Sequence, residues 1–126
     1  MELGNFSVSL AVKNLEVSRK FYEAIGFKVI AGGEAVKMYI LQNATSTIGL
    51  FQGMFEKNML TFNPGWDRQC TTLEKFDDIR DIQKVLNERG ISALSVVDEA
   101  STGPAHLMIV DPDGNPILID QHVPRP

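Results

Sequence analysis

Residues 6–12 read FSVSLAV, alternating apolar with small polar side chains in the period of a half-buried strand. Asn14 then offers an N-cap for a helix over 15–25. In that helix Leu15, Ser18, Phe21, Tyr22 and Ile25 share one face, and Glu16, Arg19, Lys20 and Glu23 mostly face water. Gly26 is its stop. Strand-like runs follow at 27–31, 36–42 and 45–52, with turns at Gly32-Gly33 and Asn43-Ala44.

The second half repeats the first. A shift of 64 residues puts Val12-Lys13-Asn14-Leu15 on Phe76-Asp77-Asp78-Ile79, and Gly26-Phe27 on Gly90-Ile91. The pattern therefore predicts a strand at 71–76, a helix capped by Asp78 and ending near Arg89, and strands at 91–97, 105–110 and 116–121. Each half alone is too small to cover its sheet face. The expected class is α+β: two tandem βαβββ units, 1–52 and 69–126, joined by a linker at 53–68, with curved mixed sheets around a cleft.

Composition narrows the functional classes. The 126 residues are 44% hydrophobic and 22% charged, the balance of an ordinary globular protein. The net charge is −4 with Lys and Arg scattered, so no nucleic-acid partner is expected. The N-terminus lacks a basic segment and no apolar run is long enough to span a bilayer, so the expected location is cytoplasmic, with no membrane partner. Cys70 is the single cysteine, which excludes an internal disulfide framework. Without a recognisable His partner it reads as a half-buried strand residue rather than a nucleophile.

The stretch VDPDGNPILID is the sharpest chemical question. Asp111, Asp113 and Asn115 have the spacing of a calcium loop, but an EF-hand-type loop wants Gly where Pro116 stands and Glu where His122 stands. The turn chemistry is better satisfied: Pro112 fixes φ, the Asp and Asn side chains bond nearby backbone, and Gly114 takes positive φ. A hairpin connection is expected.

VKNLEVSRKFYEAIGFKV in the first unit and DPDGNPILI in the second resemble the vicinal oxygen chelate superfamily, which includes glyoxalase I, extradiol dioxygenases, fosfomycin-resistance enzymes and bleomycin-resistance proteins. The resemblance covers nearly the whole chain and implies the glyoxalase/bleomycin-resistance-like fold with its cleft. In enzymes of this superfamily His, Gln or Glu side chains from four strands hold a metal. Carried over singly, those positions are Ser7, Gly49, Thr71 and Leu118. Gly and Leu lack a donor atom, and Ser and Thr offer weak neutral hydroxyls, so no metal and no other cofactor is expected. His106, His122, Asp120 and Gln52 are the remaining donors. A lone strand His such as His106 is ordinarily a hydrogen-bonded or surface residue, and His122 falls in a solvated tail.

Residues 51–68, FQGMFEKNMLTFNPGWDR, mix three Phe, two Met and the only Trp with amides and acids. Such a mixture suits a pocket for an organic ligand, and equally a cover for a sheet edge or a dimer contact. The expected function is binding of a small organic molecule in the manner of bleomycin-resistance proteins, with Gln52, Asn63, Trp66, Asp120, Phe51 and Met38 as contacts. The acidic balance favours a neutral or cationic ligand. The alternatives are a glyoxalase-type lyase, isomerase or dioxygenase with a relocated metal or acid–base residues only, and an interaction module. Asp67, Glu56 or Asp120 would be the general base. The resemblance also implies a homodimer, with Phe55, Leu60 and Phe62 as interface residues.

Overall fold

A computed structural model describes all 126 residues. The chain divides into two compact units, one of Ser7–Met59 and one of Met1–Phe6 with Leu60–Pro126. No helix is long and apolar enough to cross a membrane.

The Ser7–Met59 unit holds β1 (Asn5–Ala11, from Ser7 on), α1 (Leu15–Ala24), β2 (Lys28–Gly33), a 3₁₀ turn (Glu34–Val36), β3 (Met38–Asn43) and β4 (Ser46–Phe51). Its sheet runs β2-β3-β4-β1, antiparallel except for the parallel β1/β4 pair. Asn14 caps α1 by accepting from the Val17 N–H, as its position before the apolar run requires. Leu15, Leu41 and Leu50 form the core, with Leu10, Tyr22, Tyr39 and Ile48 packed on it. The expected apolar face of α1 is corrected here. Leu15 and Tyr22 face the sheet, but Phe21 and Ile25 are exposed, because at about 100° per residue they lie about 110° and about 70° round the helix from the line through Leu15 and Tyr22.

The other unit holds β5 (Met59–Asn63, from Leu60 on), α2 (Ile79–Glu88), β6 (Ala105–Val110) and β7 (Pro116–Gln121). Its order is β5-β7-β6, with β5 parallel and β6 antiparallel to β7. Asp78 caps α2 through the Arg80 N–H. Ile79, Ile82, Leu86, Val97, Leu107 and Ile119 form the core.

Two expected strands are absent from this unit. Residues 71–76 hold only an isolated bridge from Thr72 to Trp66, and the strand parallel to β7 is β5, inside the segment read as a linker. Residues 91–97 form no strand: the Leu94 N–H donates to the Met108 carbonyl, and Gln83 takes over both backbone groups of Val97, donating to its carbonyl and accepting from its N–H at 3.0 and 2.7 Å. Strand pairing is mixed within each unit and the class is α+β, as the sequence predicts.

Candidate functional site

Alternation along each strand sorts the candidate residues onto sheet faces. In the Ser7–Met59 unit, Leu10, Tyr39, Leu41, Ile48 and Leu50 point to α1. Ser7, Ser9, Met38, Ile40, Thr47, Gly49 and Phe51 therefore lie on the opposite face. Met38 and Phe51 are direct register partners, and the Phe51 ring meets Phe55 at 5.2 Å between centroids. Gly49 lies under that ring: a Cβ built there would stand 2.5 Å from Phe51 Cε2.

Gln52 follows Phe51 and turns back to the start of α1, where its Oε1 accepts the Leu15 N–H at 2.8 Å. Gln121 repeats the device in the other unit, accepting the Ile79 N–H at 2.8 Å. The two differ in their amide nitrogens. Gln121 Nε2 is spent on Asp78 and the Val123 carbonyl, at 2.8 and 3.0 Å, and the residue is fully buried. Gln52 instead lines a pocket of about 330 Å³ with Lys13, Asn14, Glu16, Glu34 and Lys37. Glu16 receives hydrogen bonds from Arg19 and from Tyr39 Oη (2.7 Å), which hold its carboxyl below the usual carboxylate range. The sequence offers Gln52 as a candidate contact; its charged neighbours in this pocket are not among the candidates it yields. These neighbours come from two separate segments, 13–16 and 34–37, and Lys37 ends the 3₁₀ turn with a left-handed backbone (φ 59°).

In the other unit, Ala105, Leu107, Ile109, Ile117 and Ile119 pack toward α2. Thr61, His106, Met108, Leu118 and Asp120 therefore lie on the opposite face. Asn63 is buried and spoken for: its Nδ2 donates to the Asp120 carbonyl at 2.9 Å and its Oδ1 accepts from Asn5 Nδ2 at 3.4 Å. Asn5 Oδ1 is buried without a partner. Trp66 stacks on His122, with centroids 4.6 Å apart and planes 9° from parallel. His122 Nε2 stands 3.3 Å from Asp120 Oδ2. The tail histidine is thus fixed on two sides rather than loose in solvent. Its pairing with Asp120 raises its pKa above the ordinary value, against the opposing effect of burial. His106 is exposed and lies opposite Asp120 in the β6/β7 register.

The six expected contacts thus fall into two groups, Met38, Phe51 and Gln52 in one unit and Asn63, Trp66 and Asp120 in the other. The four positions assigned to a metal by resemblance do not fit one. Gly49 and Leu118 have no donor, Thr71 lies outside any strand, and the residue opposite Leu118 is Thr61. No group of three or more His, Cys, Asp or Glu comes together in a metal-binding arrangement.

The DPDGN carboxylates form a turn, as expected. Asp111 Oδ1 accepts the N–H groups of Asp113 and Asn115, both at 2.9 Å, its Oδ2 accepts from Asn115 Nδ2, and Gly114 takes φ +88°. These bonds, that from the Asn115 side chain foremost, hold the Asp111 carboxyl below the usual range.

Comparison with known proteins agrees with this architecture. The family model of the Glyoxalase/Bleomycin resistance protein/Dioxygenase superfamily matches residues 6–119. Among proteins with curated descriptions, none matches. Similar solved structures include a glyoxalase/bleomycin resistance protein/dioxygenase superfamily member from Vibrio splendidus 12B01, at 16% identity and TM-score 0.62, covering 92% of this chain and 97% of that one. Another is described as an NAD-dependent benzaldehyde dehydrogenase from Legionella pneumophila, at 18% identity and TM-score 0.67, covering 93% and 98%. A third is a Streptomyces coelicolor methylmalonyl-CoA epimerase in complex with 2-nitronate-propionyl-CoA, at 14% identity and TM-score 0.62, covering 96% and 99%. At these identities the likeness concerns the fold alone. With a family model spanning nearly its whole length, the chain belongs to the glyoxalase/bleomycin resistance protein/dioxygenase superfamily.

Proposed function

We propose that this chain binds a small polar organic molecule through side chains alone, with no metal at the superfamily's positions. The observation that carries the reading is the pocket of about 330 Å³ at the start of α1, whose size lies within the range of small-molecule sites. Gln52 presents its amide nitrogen there while its carbonyl oxygen holds the helix start. Lys13 and Lys37 add cationic donors, and Glu34 adds an acceptor. With Glu16 neutralised by Arg19, this wall favours a ligand bearing acceptor oxygens, unlike the neutral or cationic ligand that net charge alone suggests. The Phe51 ring over Gly49 supports the metal-free part, since it occupies the space a ligating side chain at 49 would need.

The test is native mass spectrometry of protein purified without chelator, followed by thermal-shift titration with a panel of small carboxylates and amides. The expected result is protein free of stoichiometric metal, stabilised by members of the panel, with the stabilisation lost in Lys37→Ala. A divalent ion bound at one per chain, removable by chelator together with ligand binding, refutes the reading.

A second reading rests on the other unit. A His122 ring paired with Asp120 and stacked on Trp66 has the parts of an acid–base dyad: a carboxylate that orients the imidazole and stabilises its charged form. On this reading the chain is an enzyme of proton transfer. Its activity would follow the protonation of His122 and would disappear in His122→Gln, with Lys37→Ala nearly unaffected.

A further inference from the structure

Three apolar side chains on α1 and its C-cap point away from the core at successive turns: Val17, Phe21 and the cap residue Ile25, with relative exposures of 64%, 61% and 55%. The spacing i, i+4, i+8 makes them one continuous stripe. The repeat supplies an internal control. Shifted by 64 residues, the same positions on α2 are Asp81, Val85 and Arg89, so the fold does not demand an apolar outer face there. Lys13 and Lys20, both exposed, stand one turn before Val17 and just before Phe21.

The outer face of α2 is complementary. A pocket of about 240 Å³ is lined there by Met1, Asp77, Asp81, Ile82, Val85 and Arg89. It has an apolar floor and two exposed carboxylates, and it is large enough for a phenyl ring. Asp81 also accepts from Arg125 at 3.3 Å and remains more than half exposed.

We propose that the α1 stripe docks on the outer face of α2 of a second copy of this chain, with Phe21 in the α2 pocket and Lys13 and Lys20 facing Asp77 and Asp81. One sequence carries both halves of the contact: Lys20 on α1 with Lys13 just before its cap, and Asp81 on α2 with Asp77 just before its cap. A net charge of −4 disfavours the competing occupant, an anionic lipid surface, while leaving this local pairing intact. The surface shares only Lys13 with the ligand pocket, and none of the substitutions that test it touches that pocket; it also differs from the interface residues suggested by resemblance. Two of those, Phe55 and Phe62, are engaged by Phe51 and Phe6 within their own units.

Sedimentation velocity of the full chain over a roughly hundredfold range of concentration tests this. The expected result is concentration-dependent self-association, weakened at least about tenfold by Phe21→Ser on one face and by Val85→Glu on the other. Lys20→Glu and Asp81→Lys should each weaken it alone, and an equimolar mixture of the two variants should recover it, because the reversed charges then face each other. Unchanged melting temperatures establish that the variants fold. A monomer at every concentration overturns the proposal, as does association insensitive to Phe21→Ser. Cosedimentation of the monomer with phosphatidylserine vesicles, abolished by Phe21→Ser, would overturn it in favour of a membrane.

Discussion

Replacing Gln121 with Ala removes three hydrogen bonds, two of them buried, whereas the same change at Gln52 removes one at the rim of a pocket. The two glutamines hold equivalent places, each turning from the end of a strand to the first N–H of its unit's helix. The bond from Gln121 to Asp78 is charge-assisted and the other two are neutral, so the loss sums to about 4 kcal/mol, with the stranded partners included. For Gln52, a single neutral bond whose donor can turn to water gives about 1 kcal/mol. In a chain of this length these correspond to falls in melting temperature of roughly 15 °C and roughly 4 °C. Thermal unfolding followed by far-ultraviolet circular dichroism measures both. The functional consequence runs the other way: Gln52→Ala should abolish the thermal stabilisation given by the small carboxylates, and Gln121→Ala, measured below its own melting point, should keep it. Equal destabilisation by the two substitutions would refute the division into a structural and a ligand-facing glutamine.

Arg80 is almost wholly buried and bonds Asp78, Ser101 and the Gly103 carbonyl, so Arg80→Met should cost about 4 kcal/mol by leaving Asp78 without its counter-charge. Burial works to raise the Asp78 pKa, but the bonds from Gln121 and Arg80 outweigh it, and the net value is lowered. Its stabilisation is therefore present above the ordinary carboxylate pKa and lost as pH falls through the depressed value, and acid titration of the wild type should show unfolding only in that lower range. His122 behaves oppositely: its raised pKa means a contribution present below the ordinary imidazole value and lost as pH rises through the folded one. Trp66, the only tryptophan, reports this directly. Its fluorescence should change with a midpoint above that of free histidine, and Asp120→Asn should move the midpoint down; an unmoved midpoint would rule out the pairing. Gly49→Ala should cost about 2 kcal/mol by forcing the Phe51 ring aside, and most of that cost should vanish in a Phe51→Ala background, measured as a double-mutant cycle in urea.

Local signals carried much of the fold. Asn14 and Asp78 cap their helices as read, the DPDGN turn closes on Asp111, and β6 and β7 fall where alternation put them. The 64-residue shift, however, holds only for the two helices and their stops, Leu15–Ala24 and Ile79–Glu88. In the first unit residues 12–14 separate strand from helix; in the second, residues 64–78 do, so a uniform shift of 64 landed on irregular chain at 71–76 and passed over MLTFN, whose alternation was hidden among aromatic neighbours. Of the candidate contacts, Gln52 was legible as a polar residue at a strand end. That Asn63 would be consumed by Asn5 and Asp120 was not, since its partners lie far away in sequence.

What the sequence determined by itself was the class of fold, the capped helices and the turn. These depend on a residue's own chemistry or on neighbours within a few positions, and such interactions are written in order along the chain. Only the tertiary structure decided which glutamine faces a pocket, that His122 is clamped between Trp66 and Asp120, and that α1 presents Val17, Phe21 and Ile25 outward. Those outcomes depend on which segments meet in space. A helical periodicity fixes which residues share a face, but only packing against the sheet decides which face is covered.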